Sequence, residues 1–136
     1  MTSIPLPLSM AAPDAVCPHK SRGGLRRLGN AARYSWAGLL AAWRHEAAFR
    51  LEVSVGAALI VLATVIAPSR WQVLALCAPV LLVCVVELLN SALEALADAV
   101  SIENNALLGR AKDMASAAVT LCLLLVPLTW LMVLLP

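Results

Sequence analysis

Five polar side chains interrupt the otherwise apolar stretch VVELLNSALEALADAV, Val85–Val100: Glu87, Asn90, Ser91, Glu94 and Asp98. A charged group at the centre of a bilayer costs about 2.5–3.5 kcal/mol on insertion scales, so carboxylates within such a run mark function. At 100° per residue all five side chains fall on one stripe of a helix, whereas randomly placed polar residues would scatter around it. The stripe therefore faces something polar. Carboxylates at a membrane–water boundary, with lysine and arginine nearby, suit Mg²⁺ on a polyphosphate, because Mg²⁺ takes oxygen ligands from one or two carboxylates and from the phosphates. A lysine such as Lys112 supplies a point charge for phosphate oxygens. A deeper carboxylate within reach of a lipid hydroxyl could act as a general base. Glu94 follows Glu87 by seven residues, about 10 Å along a helix, so a boundary metal site and a deeper base fit on one element.

The chain that must hold this stripe is 136 residues long, 62% hydrophobic and only 13% charged. Its mean hydropathy of +0.88 points to an integral membrane protein. A net charge of +2 leaves no basic surface for nucleic acid. Cys17, Cys77, Cys84 and Cys122 form no CxxC pair, and the last three sit in apolar helices, where cysteine behaves as a small hydrophobe.

The expected fold class is an all-α membrane protein with an N-terminal surface helix and three transmembrane helices. Residues 1–24 hold Pro5, Pro7, Pro13, Pro18 and Gly23, have no periodicity, and read as a flexible tail. They do not form a signal peptide, because Lys20 and Arg22 follow the weakly apolar part. Residues 25–136 form the membrane domain. Over about 25–45, Leu25, Leu28, Ala32, Trp36, Leu39 and Trp43 share one helical face, opposite Arg26, Arg27, Asn30, Arg33, Tyr34 and Arg44. Tryptophans facing arginines across a helix describe an element lying in the membrane interface. Spans follow at about 47–67, 71–100 and 110–135, their apolar parts near the 20 residues a crossing needs. The turn APSRWQ joins the first two and the polar SIENNALLGRAKD joins the last two, while Pro127 is expected to bend the third.

Most of the basic residues precede or enter the first span, Arg110 and Lys112 lie in the second connection, and Arg70 alone lies in the first turn. The positive-inside rule then puts the N-terminus and the second connection in the cytoplasm. Arg50, Glu52, Glu94, Asp98, Glu103, Arg110, Lys112 and Asp113 all gather at that face. Three spans are few to enclose a polar stripe, so a lone chain is expected to leave Glu87 and Asn90 open to lipid. No GxxxxGK[ST] loop is present, and neither His19 nor His45 has the context of a catalytic triad. The residues alone leave two classes open: a lipid-modifying enzyme, or a small transporter or proton-channel subunit whose glutamates relay protons.

AAWRHEAAFRLE (Ala41–Glu52), VELLNSALEALAD (Val86–Asp98) and GRAKDMASAAV (Gly109–Val119), with YSWAGLLAAW upstream, resemble the signature segments of the prokaryotic diacylglycerol kinases, in family order and spacing. The resemblance covers Leu25 to the C-terminus. It implies a homotrimeric bundle in the bacterial inner (cytoplasmic) membrane that transfers the γ-phosphoryl group of ATP to diacylglycerol with Mg²⁺. It implies Glu87 as general base with Asn90 beside it, and Glu46 and Glu94 as metal and nucleotide ligands. Arg27, Tyr34, Glu103, Asn104, Asn105, Lys112 and Asp113 correspond to nucleotide contacts. Trp43, Arg50, Glu52 and Ser116 correspond to the lipid-substrate side. The chain departs from the family pattern at ENN (Glu103–Asn105), where E-Y-H is frequent, and at Ala99, where a basic residue is frequent. Some relatives phosphorylate undecaprenol instead, but these tend to read FR-x-H where this chain reads FRLE.

Overall fold

The computed structural model describes residues 24–100 and 105–135. The expected tail therefore lies, Gly24 apart, outside the described residues, as do Glu103 and Asn104. Four helices follow in order, α1 (Gly24–His45), α2 (Ala47–Ile66), α3 (Arg70–Val100) and α4 (Ala106–Leu134), with no strand among the described residues. The protein is all-α, and α2, α3 and α4 are each long and apolar enough to cross a membrane. The chain falls into two units, residues 1–34 and 35–136. The first contributes the opening residues of α1, and the second holds everything from Ser35 onward.

Local chemistry sets the helix ends. Pro68 cannot extend α2, whose final bond runs from the Ala67 amide to the Ala63 carbonyl, 3.1 Å. Ser69 then starts α3: its Oγ accepts from the Gln72 amide at 3.3 Å and donates to Gln72 Oε1 at 2.9 Å. This is a variant of the S-x-x-Q capping pattern. α4 begins at Ala106, not near residue 110, because Asn105 caps it, with Oδ1 accepting from Leu107 N at 2.9 Å and Leu108 N at 3.4 Å. GRAKD is thus helical, and the connection is shorter than its polarity suggested.

α3 is the central element and packs against both α2 and α4. Ala63 of α2 and Leu76 of α3 are completely buried. Gly56 lets the two helices approach closely, since a Cβ there would sit 2.9 Å from Val80 Cγ1. α4 is tied on by the Trp130 indole N–H, which donates to the Leu76 carbonyl at 3.3 Å. That carbonyl is one residue on from the Ala75 carbonyl, which loses its ladder donor because Pro79, buried inside α3, has no amide. α4 likewise continues through Pro127. Large apolar side chains cover the outside of the spans, including Leu51, Val61, Trp71, Leu74, Leu121 and Met132, all exposed. Exposed apolar surface on this scale suits a solvent of lipid tails, not water.

Candidate active site

Glu87 and Asn90 are buried within the single chain, at 4% and 9% exposure. This corrects the expectation that a lone chain leaves them open to lipid. The packing of α3 in the second unit covers both. On the same stripe, Ser91 and Glu94 are half-buried and Asp98 is exposed, so the stripe runs from the packed interior to solvent. The Asn90 amide donates to Glu94 Oε1 at 3.2 Å, an i to i+4 bond that fixes both side chains. The charges of Glu94 and Glu46 both bear on Glu87, and Glu87 in turn bears on Glu52 of α2. One end of one chain thus gathers Glu46, Glu52, Glu87 and Glu94.

Glu46 owes its place to a break in the helix. It adopts φ −102°, ψ 113° between α1 and α2, at the cap position of α2, but makes no side-chain cap bond. Its carboxylate has no hydrogen-bond or ion-pair partner among the described residues. It borders an open crevice of about 700 Å³, lined by Ser35, Gly38 and Ala42 of α1 and by Leu88, Ser91 and Ala95 of α3. Small residues make this space. Among the described residues three buried polar atoms have no partner: Ser91 Oγ, at the crevice, Asn90 Oδ1, next to it in the chain, and Glu52 Oε2, which borders a separate hollow between the spans. Buried polar atoms are nearly always paired, so the unpaired Ser91 and Asn90 atoms mark a place open to a further partner.

The remaining candidates separate. Lys112 of α4 reaches α3, with Nζ 2.9 Å from Asp98 Oδ1, the one cross-helix ion pair among the described residues. The sequence had put Asp98 on the stripe without giving it a partner. The bond holds the lysine at the stripe's solvent end. Asp113 and Ser116 are exposed on α4, and Trp43 is exposed on α1. Asn105 Oδ1 serves as a helix cap, leaving only its amide free to donate. In the first unit, Arg27 is exposed and the Arg33 guanidinium lies 5.3 Å from the centre of the Tyr34 ring. Arg50 donates to the backbone, through Nη1 to the carbonyls of Trp43 at 3.1 Å and Arg44 at 3.3 Å. Neither this bond nor the orphaned Ser91 hydroxyl could be read from helical periodicity, which does not say what lies across a break.

The profile of the prokaryotic diacylglycerol kinases matches residues 33–134. The chain belongs to this family. It is 47% identical over 118 residues to the diacylglycerol kinase of Pseudomonas aeruginosa, covering 87% of this chain and 96% of that protein. It is 46% identical over 108 residues to the diacylglycerol kinase of Escherichia coli K12, covering 79% and 88%. The Haemophilus influenzae diacylglycerol kinase is 39% identical over 107 residues, covering 79% and 91%. Membership of a lipid kinase family implies a nucleotide and a lipid alcohol as substrates.

Proposed function

We propose that this protein transfers the γ-phosphoryl group of ATP to the free hydroxyl of diacylglycerol, giving phosphatidate and ADP, at the cytoplasmic face of the bacterial inner membrane. The observation that carries the proposal is Glu87, a buried carboxylate at the inner end of a polar stripe, beside two further carboxylates and an open crevice. Glu87 accepts the proton as the lipid oxygen bonds to phosphorus and the bond from phosphorus to the β–γ bridging oxygen breaks. Asn90 holds Glu94 and keeps an acceptor free beside the base.

Glu46 and Glu94 are the residues that would hold Mg²⁺. Among the described residues no cluster of three or more His, Cys, Asp or Glu side chains forms a ready-made metal cage. Two carboxylates with uncommitted oxygens nonetheless fit an ion that takes its other ligands from phosphates and water. When bound, the ion would neutralise charge on the phosphates. The family resemblance supports nucleotide contacts for Lys112, which is paired with Asp98, and for Asp113 and Asn105. It gives the same role to Arg27 and Tyr34, and to Glu103 and Asn104, the last two lying outside the described residues. Glu52, Ser116 and Trp43 serve the lipid. The positive-inside pattern supports a cytoplasmic N-terminus, and the family resemblance supports a homotrimer.

Purified protein in detergent, given labelled ATP and Mg²⁺ with either diacylglycerol or undecaprenol, tests this. Label is expected in phosphatidate. Label in undecaprenyl phosphate alone would keep the chemistry and change the substrate, and no transfer to any lipid alcohol would favour a transporter.

A further inference from the structure

We infer that Arg50 is a positioning residue that sets the direction of Glu46 by clamping the break between α1 and α2. The inference rests on the phosphotransfer proposed above, in which Glu46 is a metal and nucleotide ligand.

A helix end leaves its last carbonyls without intrahelical partners, and near lipid each unsatisfied carbonyl is costly. At the end of α1 the Ala42 carbonyl accepts from the Glu46 amide at 2.8 Å. The next two carbonyls, of Trp43 and Arg44, accept from the one Nη1 atom of Arg50. The Arg50 amide also bonds to the Glu46 carbonyl at 3.3 Å, so Arg50 grips the chain on both sides of the break. The Ser54 hydroxyl donates to the Arg50 carbonyl at 2.7 Å, bracing the turn from behind.

The position is otherwise a poor one for a cation. Arg50 lies in the opening turn of α2, where positive charge opposes that helix's own dipole, while the same charge favours the end of α1. Glu46, at the cap position, contributes no cap bond, so its side chain does not hold the break itself. The arginine does what the glutamate does not, and the carboxylate is left free to face the crevice. Arg50 thereby acts through Glu46, with Nη1 of its guanidinium engaged on backbone.

The test compares Glu46→Gln, Arg50→Gln and the double variant in detergent. Hydrogen exchange of the amides around Glu46–Arg50 should quicken about ten-fold or more in Arg50→Gln as two charge-assisted bonds disappear, with α3 and α4 unchanged. The Mg²⁺ concentration for half-maximal rate should rise about ten-fold, the usual scale for losing a group that orients a ligand. The double variant should then need no more Mg²⁺ than the worse single one, and the KM for diacylglycerol should hold. A merely structural role would lower the amount of active enzyme without moving the Mg²⁺ dependence. Should Arg50→Gln fail to assemble, Arg50→Lys, which keeps the charge, should move both readouts the same way by less. Unchanged exchange, multiplying effects in the double variant, or a shift in lipid KM alone overturns the inference while leaving the kinase proposal standing. A Glu46→Gln variant with normal Mg²⁺ dependence overturns the metal assignment, and this inference with it.

Discussion

The two halves of α3 belong to one unbroken helix yet follow different rules. From Arg70 to Val86 the buried surface is apolar, Leu76 has no exposure, and its carbonyl accepts the Trp130 indole from α4. From Glu87 onward the buried side chains include Glu87 and Asn90 as well as Ala97, and atoms of Asn90 and of Ser91, which borders an open crevice, lie unpaired among the described residues. Among the described residues the first half leaves no buried side-chain polar atom without a partner. The second leaves hydrogen-bonding capacity in reserve, and the difference separates scaffold from site better than burial does, because both halves are buried.

If that separation is correct, substitutions in the two halves should fail in different ways. The largest effect is expected at Glu87. Glu87→Gln keeps the shape and removes the proton acceptor, so phosphoryl transfer should fall by about 10²–10⁴, the usual cost of losing a general base. Thermal unfolding in the same detergent should stay near wild type. Activity within a factor of a few would leave Glu87 a structural role and erase the contrast.

Gly56→Val, opposite the apolar half, should do the reverse. Its side chain must displace Val80, which lies 2.9 Å from where the new Cβ would be, and overpacking of this kind costs about 1–3 kcal/mol. A lowered Tm with near-normal KM values for ATP and lipid is expected in the protein that remains folded. A selective rise in either KM, at unchanged Tm, would show that the packed half reaches into the site.

Trp130→Phe is the gentlest probe. It removes one indole N–H from the Leu76 carbonyl and keeps most of the ring, so about 0.5–1.5 kcal/mol is at stake. Tm should drop slightly and kcat should not move. A loss of turnover would mean that α4 docking matters to the chemistry itself.

What could be read in the sequence, and what could not, follows from the range of each interaction. The spans and the surface helix are visible because an apolar run and a helical period are local properties of the chain. The stripe from Glu87 to Asp98 is visible for the same reason. The clamp at Arg50 is not, since it depends on where the backbone bends. Nor is the Gly56–Val80 approach, which is set by how two helices rotate against each other. Asn105 belongs to a polar loop by composition, and only the course of the chain makes it a cap. The burial of Glu87 inside one chain is not visible in a count of spans, which ignores how completely neighbouring helices can cover a single stripe.

The length of α3 acts as a depth gauge. Its 31 residues rise about 46 Å, while the hydrocarbon layer is about 30 Å thick. With Arg70 at the far surface, about 20 residues of helix bring the chain to the near one, at Asn90. The 20 residues of α2 span the same thickness and put Glu46 at the same level. Glu87 then lies about 4–5 Å beneath the boundary and Glu94 about 6 Å above it. On the proposed roles, a lipid alcohol would meet the base without leaving the bilayer, and a nucleotide would meet Glu94 without entering it. The two substrates would share no phase, and the helix would let each wait in its own.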